Sequence, residues 1–280
     1  MRKSGGVLLV LLLTSVLASP SAFAQTVAPA PAPELTVEQQ KTFLKTAKVI
    51  RNKTTNKGVT APKRLTLTDG VVTHDAVFQP VDESKMVVSL GGNGRASQTE
   101  LNFVDSYRYN LAAYALSELL GLSHMMPVHV ERRWNGQTGS ISWFVDTLMD
   151  ESERLKKKVQ PPNSTEWNHQ MYRMRVFSAL VRDTDRNLTN VLITPEWKVV
   201  MIDFSRGFRL QPELLHQSDL AKMCKELWPK LQGLQRDEVK QAIGDWLTGS
   251  ELEAMMKRRD LLVAHFEKLI GDKGEPNVLY

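Results

Sequence analysis

The hydrophobic positions along the chain change period several times, and each change marks an element. Thr36 followed by Gln39 has the form of a capping box. Phe43, Ala47 and Ile50 recur behind it on one face, which predicts a helix. From Gly58 the period becomes two. "RLTLTDGVVTHDAVFQPVD" alternates at Leu65 and Leu67, turns at Asp69-Gly70 and runs on from Val72 to Phe78, the pattern of a β-hairpin. "SLGGNGRAS" predicts a surface loop, because no Lys-Ser/Thr pair follows at phosphate-loop spacing. "NFVDSYRYNLAAYALSELLGL" predicts an amphipathic helix, with Tyr107, Leu111, Tyr114, Ala115 and Leu119 in register and Gly121 as its stop. "MPVHVERRWNGQTGSISWFVD" predicts a second hairpin turning at Asn135-Gly136.

Beyond Thr147 the helical period dominates. "EWNHQMYRMRVFSALVRD" predicts a long helix, and two short strands follow in "NVLIT" and "KVVMID". The last helix opens on a Thr248/Glu251 capping box and turns Leu252, Met255, Met256, Val263, Phe266 and Ile270 inward, with Gly271 ending it. The fold class expected is α+β with two lobes: a β-rich lobe over residues 36–146, and a helical lobe over 147–280 carrying one small hairpin.

The first residues stand outside that fold. Arg2 and Lys3, the apolar run "VLLVLLLTSV" and Ala22-Phe23-Ala24 form the pattern of a secretory signal peptide over residues 1–24. "TVAPAPAPE" then reads as an extended Pro/Ala spacer, residues 25–35. Export to a periplasm or secretory lumen is the expectation, with no membrane span. Removing Arg2 and Lys3 leaves 34 basic against 31 acidic residues, a charge of +3 that gives no reason to expect nucleic acid. "RLKKKVQPP", the densest basic run, reads as a solvated helix end. Cys224 is the only cysteine, so no intrachain disulfide forms and the thiol reads as buried packing.

Candidate chemistry concentrates in "RDTDRNLTNVLITPEWKVVMIDFSRGF". Asp185 and Asn190 stand five positions apart on a loop, and Asp203 follows thirteen later at the end of a strand. Phosphoryl transfer needs a carboxylate to take the acceptor proton and oxygen ligands around a magnesium–nucleotide. A loop and a returning strand can supply them. Asx turns beside a hairpin would give the same residues a purely structural role.

"DRNLTNVLI" resembles the catalytic loop of phosphatidylinositol 3/4-kinases, and "VVMIDFSRGF" resembles their "IDFG" segment; the HipA-like and Golgi-type secreted kinases share this order. The resemblance implies a two-lobed protein-kinase-like fold. It makes Asp185 the catalytic base, and Asn190 and Asp203 ligands of Mg2+ (or Mn2+) carrying ATP. Asn187 stands where the lipid-kinase pattern has His, and Ser205 where it has Gly.

A kinase-like site also needs a strand cation for the phosphates and a helix acid to hold that cation. The corresponding positions are Gln79 and Asn110, two amides that can bond each other without charge. Alternatively, Gln79 is a half-buried strand polar and Asn110 a helix-surface residue. The phosphate-covering loop falls on Asn52–Lys63, with Gly58, Thr60 and Lys63 as nucleotide contacts, and Lys57, Lys63 or Lys85 as other sources of charge. His74-Asp75 lacks partners for a metal-dependent phosphohydrolase, and Arg259 is expected to form an ion pair in the helical lobe. Two functions remain open. One is phosphotransfer to a protein or small-molecule hydroxyl; the other is a catalytically inactive module that binds a nucleotide or a protein.

Overall fold

The computed structural model describes residues 35–54, 62–90 and 98–280. Gly58, Thr60 and Lys57, the signal-like segment, the spacer and most of the Gly-rich loop lie outside the described residues.

Helix α1, Val37–Thr46, opens on the reciprocal Thr36/Gln39 capping box and buries Phe43 and Leu44. It stops earlier than its apolar spacing predicts. Ala47 turns extended, and Ile50 lies about half exposed in strand β1, Lys48–Thr54. Val49-Ile50 is a β-branched pair, and a strand neighbour was there to pair with. Strands β2 (Lys63–Thr68) and β3 (Thr73–Gln79) form the expected hairpin, with Leu65, Leu67, Ala76 and Phe78 fully buried.

The next segment corrects the expected helix. Strands β4 (Asp82–Leu90) and β5 (Gln98–Ser106) make a separate antiparallel hairpin, so residues 102–106 are strand. Helix α2, Tyr107–Leu120, begins only at Ser106, whose hydroxyl caps the Arg108 amide, and closes at Gly121. Strands β6 (His129–Trp134) and β7 (Gln137–Trp143) turn at Asn135-Gly136, both with positive φ as a type I′ hairpin requires. The main sheet has the order β1-β2-β3-β7-β6 and is antiparallel throughout. A Cβ added to Gly139 of β7 would stand 2.6 Å from the Gln79 carbonyl, so glycine lets β7 close on the end of β3.

The helical lobe holds β8 (Met149–Asp150), α3 (Glu151–Lys157), α4 (Ser164–Val181), β9 (Val191–Ile193), β10 (Val199–Met201), α5 (Trp228–Gly233), α6 (Arg236–Ile243) and α7 (Gly249–Lys273). The last helix has its Thr248/Glu251 box but runs through Gly271 to a cap at Gly274. One glycine costs a helix only about 1 kcal/mol, which the rest of this long helix absorbs. In α7 the inward guanidinium is Arg258, fully buried and donating to the carbonyls of Leu180, Arg209 and Gln211 at 2.7–2.8 Å. Burial pushes it down to about 9. Arg259, expected in an ion pair within this lobe, lies 2.9 Å from its exposed neighbour Asp260 and donates to the Gln232 carbonyl. Cys224 is buried. One continuous core joins the sheet and helices, from Leu65 and Phe78 through Leu116 to Phe177, Phe204 and Phe266. Each such side chain contributes roughly 1.5–3 kcal/mol by leaving water.

Candidate functional site

The central feature is a cleft of about 550 Å3 between the main sheet and the small β8–β10 sheet.

The loop side is built from α4 outward. Arg182 ends that helix in the left-handed region, which turns the chain so that Asp183 goes inward. Asp183 is buried, and its carboxylate lies 2.5 Å from the Arg186 guanidinium. Burial pushes the Asp183 carboxyl up from the usual aspartate range, opposed by the charge of Arg186. The ends are close without full alignment, since Asp183 Oδ2 receives no well-angled donor while Oδ1 accepts the Asp185 amide at 3.0 Å. Arg186 also donates to the carbonyls of Asn190 (2.9 Å) and Ile202 (2.6 Å) and covers the Phe204 ring at 4.1 Å. One guanidinium therefore ties the loop to the strand that ends at Asp203.

Within the loop, Asn190 Nδ2 donates to the Asp185 carbonyl at 3.1 Å, which leaves Oδ1 as the amide's acceptor end. Asn187 holds the turn by accepting from the Thr189 amide and reaching back to Asp185. Asn187 thus stabilises the loop at the position where the lipid-kinase pattern has His. Asp203 has φ +56°, a left-handed conformation that Asp tolerates better than most residues. Ser205 donates its hydroxyl (2.9 Å) and its amide (3.4 Å) to Asp203 Oδ1. Asp185, Asn190 and Asp203 all line the cleft.

The sheet side carries Gln79, Asn110, His129 and Ser140. Asn110 Nδ2 donates to Gln79 Oε1 at 2.8 Å, and Asn110 Oδ1 accepts the Phe204 amide at 2.7 Å. Both amides are buried, so Asn110 is not a helix-surface residue. His129 is buried too. Its Nδ1 lies 2.7 Å from the Pro127 carbonyl, which can only accept, so Nδ1 carries the proton. Burial pushes His129 down to about 4.

Two expected contacts lie elsewhere. Lys63 opens β2 and is not among the cleft-lining residues, and Lys85 is exposed and paired with Glu83 at 2.7 Å. Alternation along β2 accounts for Lys63, whose neighbour Pro62 lines the cleft instead, and Lys85 lies on the separate β4–β5 hairpin. His74 stacks on Trp143, and Asp75 pairs with Arg64 at 2.6 Å and with Thr66, a cross-strand structural cluster.

Sequence reasoning passed over Arg206 and Asp105. Arg206 is the cation among the described residues lining the cleft, 3.6 Å from Asp185 and stacked over Phe103 at 5.1 Å. Asp105 ends β5 and lies in the same cleft, 8% exposed, with Oδ1 unpartnered. Ser106 was the missed signal: a capping serine at the start of "SYRYN" places Asp105 before the helix. Among the described residues no three His, Cys, Asp or Glu side chains converge on a point. A divalent cation here would therefore need further oxygens from a ligand. The donors present, carboxylates and an amide oxygen, are those of a hard cation.

No protein-family description matches this chain, and no curated protein does. Solved structures similar to it include the following two. The structure of hydra Fam20 with sugar superposes at a TM-score of 0.64 and 16% identity, covering 87% of this chain and 92% of that one. The Helicobacter pylori proinflammatory kinase CtkA gives 0.49 and 10% identity, covering 82% and 97%. The fold is thus a two-lobed, α+β, kinase-like fold.

Proposed function

We propose that the cleft binds a nucleotide through its phosphates and a divalent cation, and that the protein transfers a phosphoryl group to a hydroxyl acceptor. The observation that carries this reading is the joint placement of Asp185, Asn190 and Asp203 on one cleft wall, locked by Arg186. Val77, Leu192 and Ile202 offer apolar surface to a flat base, and the polar residues lie together at the other contacts.

Asp203 and the Asn190 Oδ1 would hold Mg2+ or Mn2+, a fit supported by their oxygen chemistry and fixed orientations. Bound there, the cation would neutralise charge on the phosphates. Asp185, whose side chain is 41% exposed, is open to an entering hydroxyl. It accepts that hydroxyl's proton as the oxygen bonds the terminal phosphorus and the bond to the bridging oxygen breaks, releasing the diphosphate. Arg206 faces the same carboxylate and supplies positive charge. The acceptor is a protein or a small molecule. The Met1–Ala24 pattern supports action outside the cytoplasm, and among the described residues no helix is long and apolar enough to cross a membrane.

A second reading is a nucleotide-binding module without transfer. It is favoured by the neutral Gln79–Asn110 pair, since amides cannot balance a polyphosphate as an ion-paired lysine does. Thermal unfolding with ATP and Mg2+ or Mn2+, beside Asp203→Ala, tests the shared premise. A metal-dependent rise in the parent and none in the variant is expected; no shift with any nucleotide overturns both readings. Phosphate transfer by the parent and not by Asp185→Ala then separates enzyme from module.

A further inference from the structure

The sheet wall of the cleft presents a contradiction in charge. Its two amides are neutral and its histidine is held neutral, yet one carboxylate, Asp105, also lines the cleft. A site for polyphosphate should gain little from an added negative charge unless a cation comes with the ligand.

Asp105 is also held in place with unusual thoroughness. The next residue, Ser106, donates its amide to the Ser205 carbonyl at 2.8 Å, and its hydroxyl donates to Asp82 at 2.7 Å. Five residues on, Asn110 takes the Phe204 amide. The end of β5 is thereby fastened on both sides to the turn that carries Asp203. Against this, Asp105 Oδ1 is buried without a donor. Such an atom is costly to bury, more so when charged, and a fold that fixes its surroundings this firmly could have offered it an amide. Its neighbours explain the cost further. Burial pushes the carboxyl up from the usual aspartate range, Ser205 and Arg206 oppose this, and Asp203 and Asp185 add to it.

Resting on the cleft reading above, we propose that Asp105 is a third oxygen ligand for divalent metal, holding a cation between β5 and Asp203 together with the nucleotide phosphates. The geometry explains why the strand cation is dispensable here. Where a lysine would neutralise phosphate from the sheet wall, this wall recruits a metal through a carboxylate. It also explains why protein side chains alone do not close a cage: magnesium and manganese sites of this kind take one or two carboxylates and complete their shell with phosphate and water. Binding of metal and nucleotide should therefore be mutually dependent.

The test is Mn2+ binding, read from the loss of the free-ion electron paramagnetic resonance signal, on the whole protein with and without the β,γ-imido analogue of ATP. The parent, Asp105→Asn and Asp203→Asn are compared. With the analogue present, Asp105→Asn should weaken Mn2+ binding by roughly tenfold or more, since even loss of an outer-shell partner of a metal site brings about that much. The metal-free melting temperature of Asp105→Asn should stay level or rise, because a buried carboxylate repelled by Asp203 and Asp185, with one oxygen lacking a donor, has gone. A purely structural Asp105 predicts the reverse on both measurements. Mn2+ affinity within twofold of the parent, while Asp203→Asn has lost it, overturns this proposal and leaves the cleft reading standing. A parent that takes up no Mn2+ with the analogue overturns both.

Discussion

The two walls of the cleft solve the problem of burying polar groups in opposite ways. The loop wall uses charge: Asp183 and Arg186 are sunk together beneath the loop, and the guanidinium also donates to the carbonyls of Asn190 and Ile202. The sheet wall uses neutrality. Gln79, Asn110 and Ser140 are joined by hydrogen bonds and a neutral His129 is held on the Pro127 carbonyl, with Asp105 as the exception among the described residues there. A charged pair is strong only while both partners are present, and removing one leaves an ion in a poor solvent. Neutral groups lose less when separated, but cannot attract a polyanion. The first arrangement fixes geometry; the second leaves the electrostatics of the site to what binds there.

The largest effect should come from breaking the charged wall. Arg186→Leu strands the Asp183 carboxylate and releases two carbonyls, a loss of about 3–5 kcal/mol on the scale of broken buried pairs. Urea unfolding measures it. Adding Asp183→Asn to the same chain should restore part of that loss, because the ion is then gone. A double variant no more stable than the single would mean that the carbonyl contacts, rather than the charge pair, hold the loop.

The neutral wall should show itself through pH. His129 has an ordinary value of 6.5 and is pushed down to about 4 in the folded protein. Above the higher value both folded and unfolded chains are neutral there, so it adds no slope. As the pH falls between the two, the unfolded chain takes the proton first and native stability drops. The shift corresponds to about 3 kcal/mol in all, at roughly 1.4 per unit. Asp183 and Asp105, with carboxyls pushed upward, act in the opposite direction. The difference between parent and His129→Phe isolates the histidine, and it should change by that amount between about pH 7 and pH 4. A flat difference would mean that the native ring takes its proton at the ordinary value.

The contrast between the walls also separates what was legible in the sequence from what was not. The loop wall lies within one short segment, and its spacing of five and thirteen reflects local turn and hairpin geometry. The Gln79–Asn110 contact was also legible, since counting elements brought two distant amides together, and they bond at 2.8 Å. Asp105 was lost because residues 102–106 lie against a helix of the same apolar density, and only the Ser106 cap divides strand from helix. Lys63 was misplaced by strand alternation, which moves a side chain to the other face with a shift of one residue. Arg186 and Arg206 belong to the "DR" and "SR" pairs of the segment, but partners on other turns of the chain decide where a guanidinium goes.

The smallest effect tests whether the amide pair is an ordinary neutral contact. Asn110→Leu removes the donor to Gln79 and the acceptor of the buried Phe204 amide, so it should cost about 1–3 kcal/mol. Gln79→Leu should cost less, since the Phe204 amide keeps its partner. The two losses should not add. Once Asn110 is leucine, replacing Gln79 no longer breaks their shared bond, and the cycle should return a coupling of about 1 kcal/mol, the usual net worth of one neutral hydrogen bond. Coupling of 3–5 kcal/mol would put this pair in the class of Asp183–Arg186, and the distinction between the walls would fail. At the expected value, the sheet wall is held by weak, neutral contacts, and under the proposed nucleotide reading the charge that meets phosphate would come from elsewhere in the cleft.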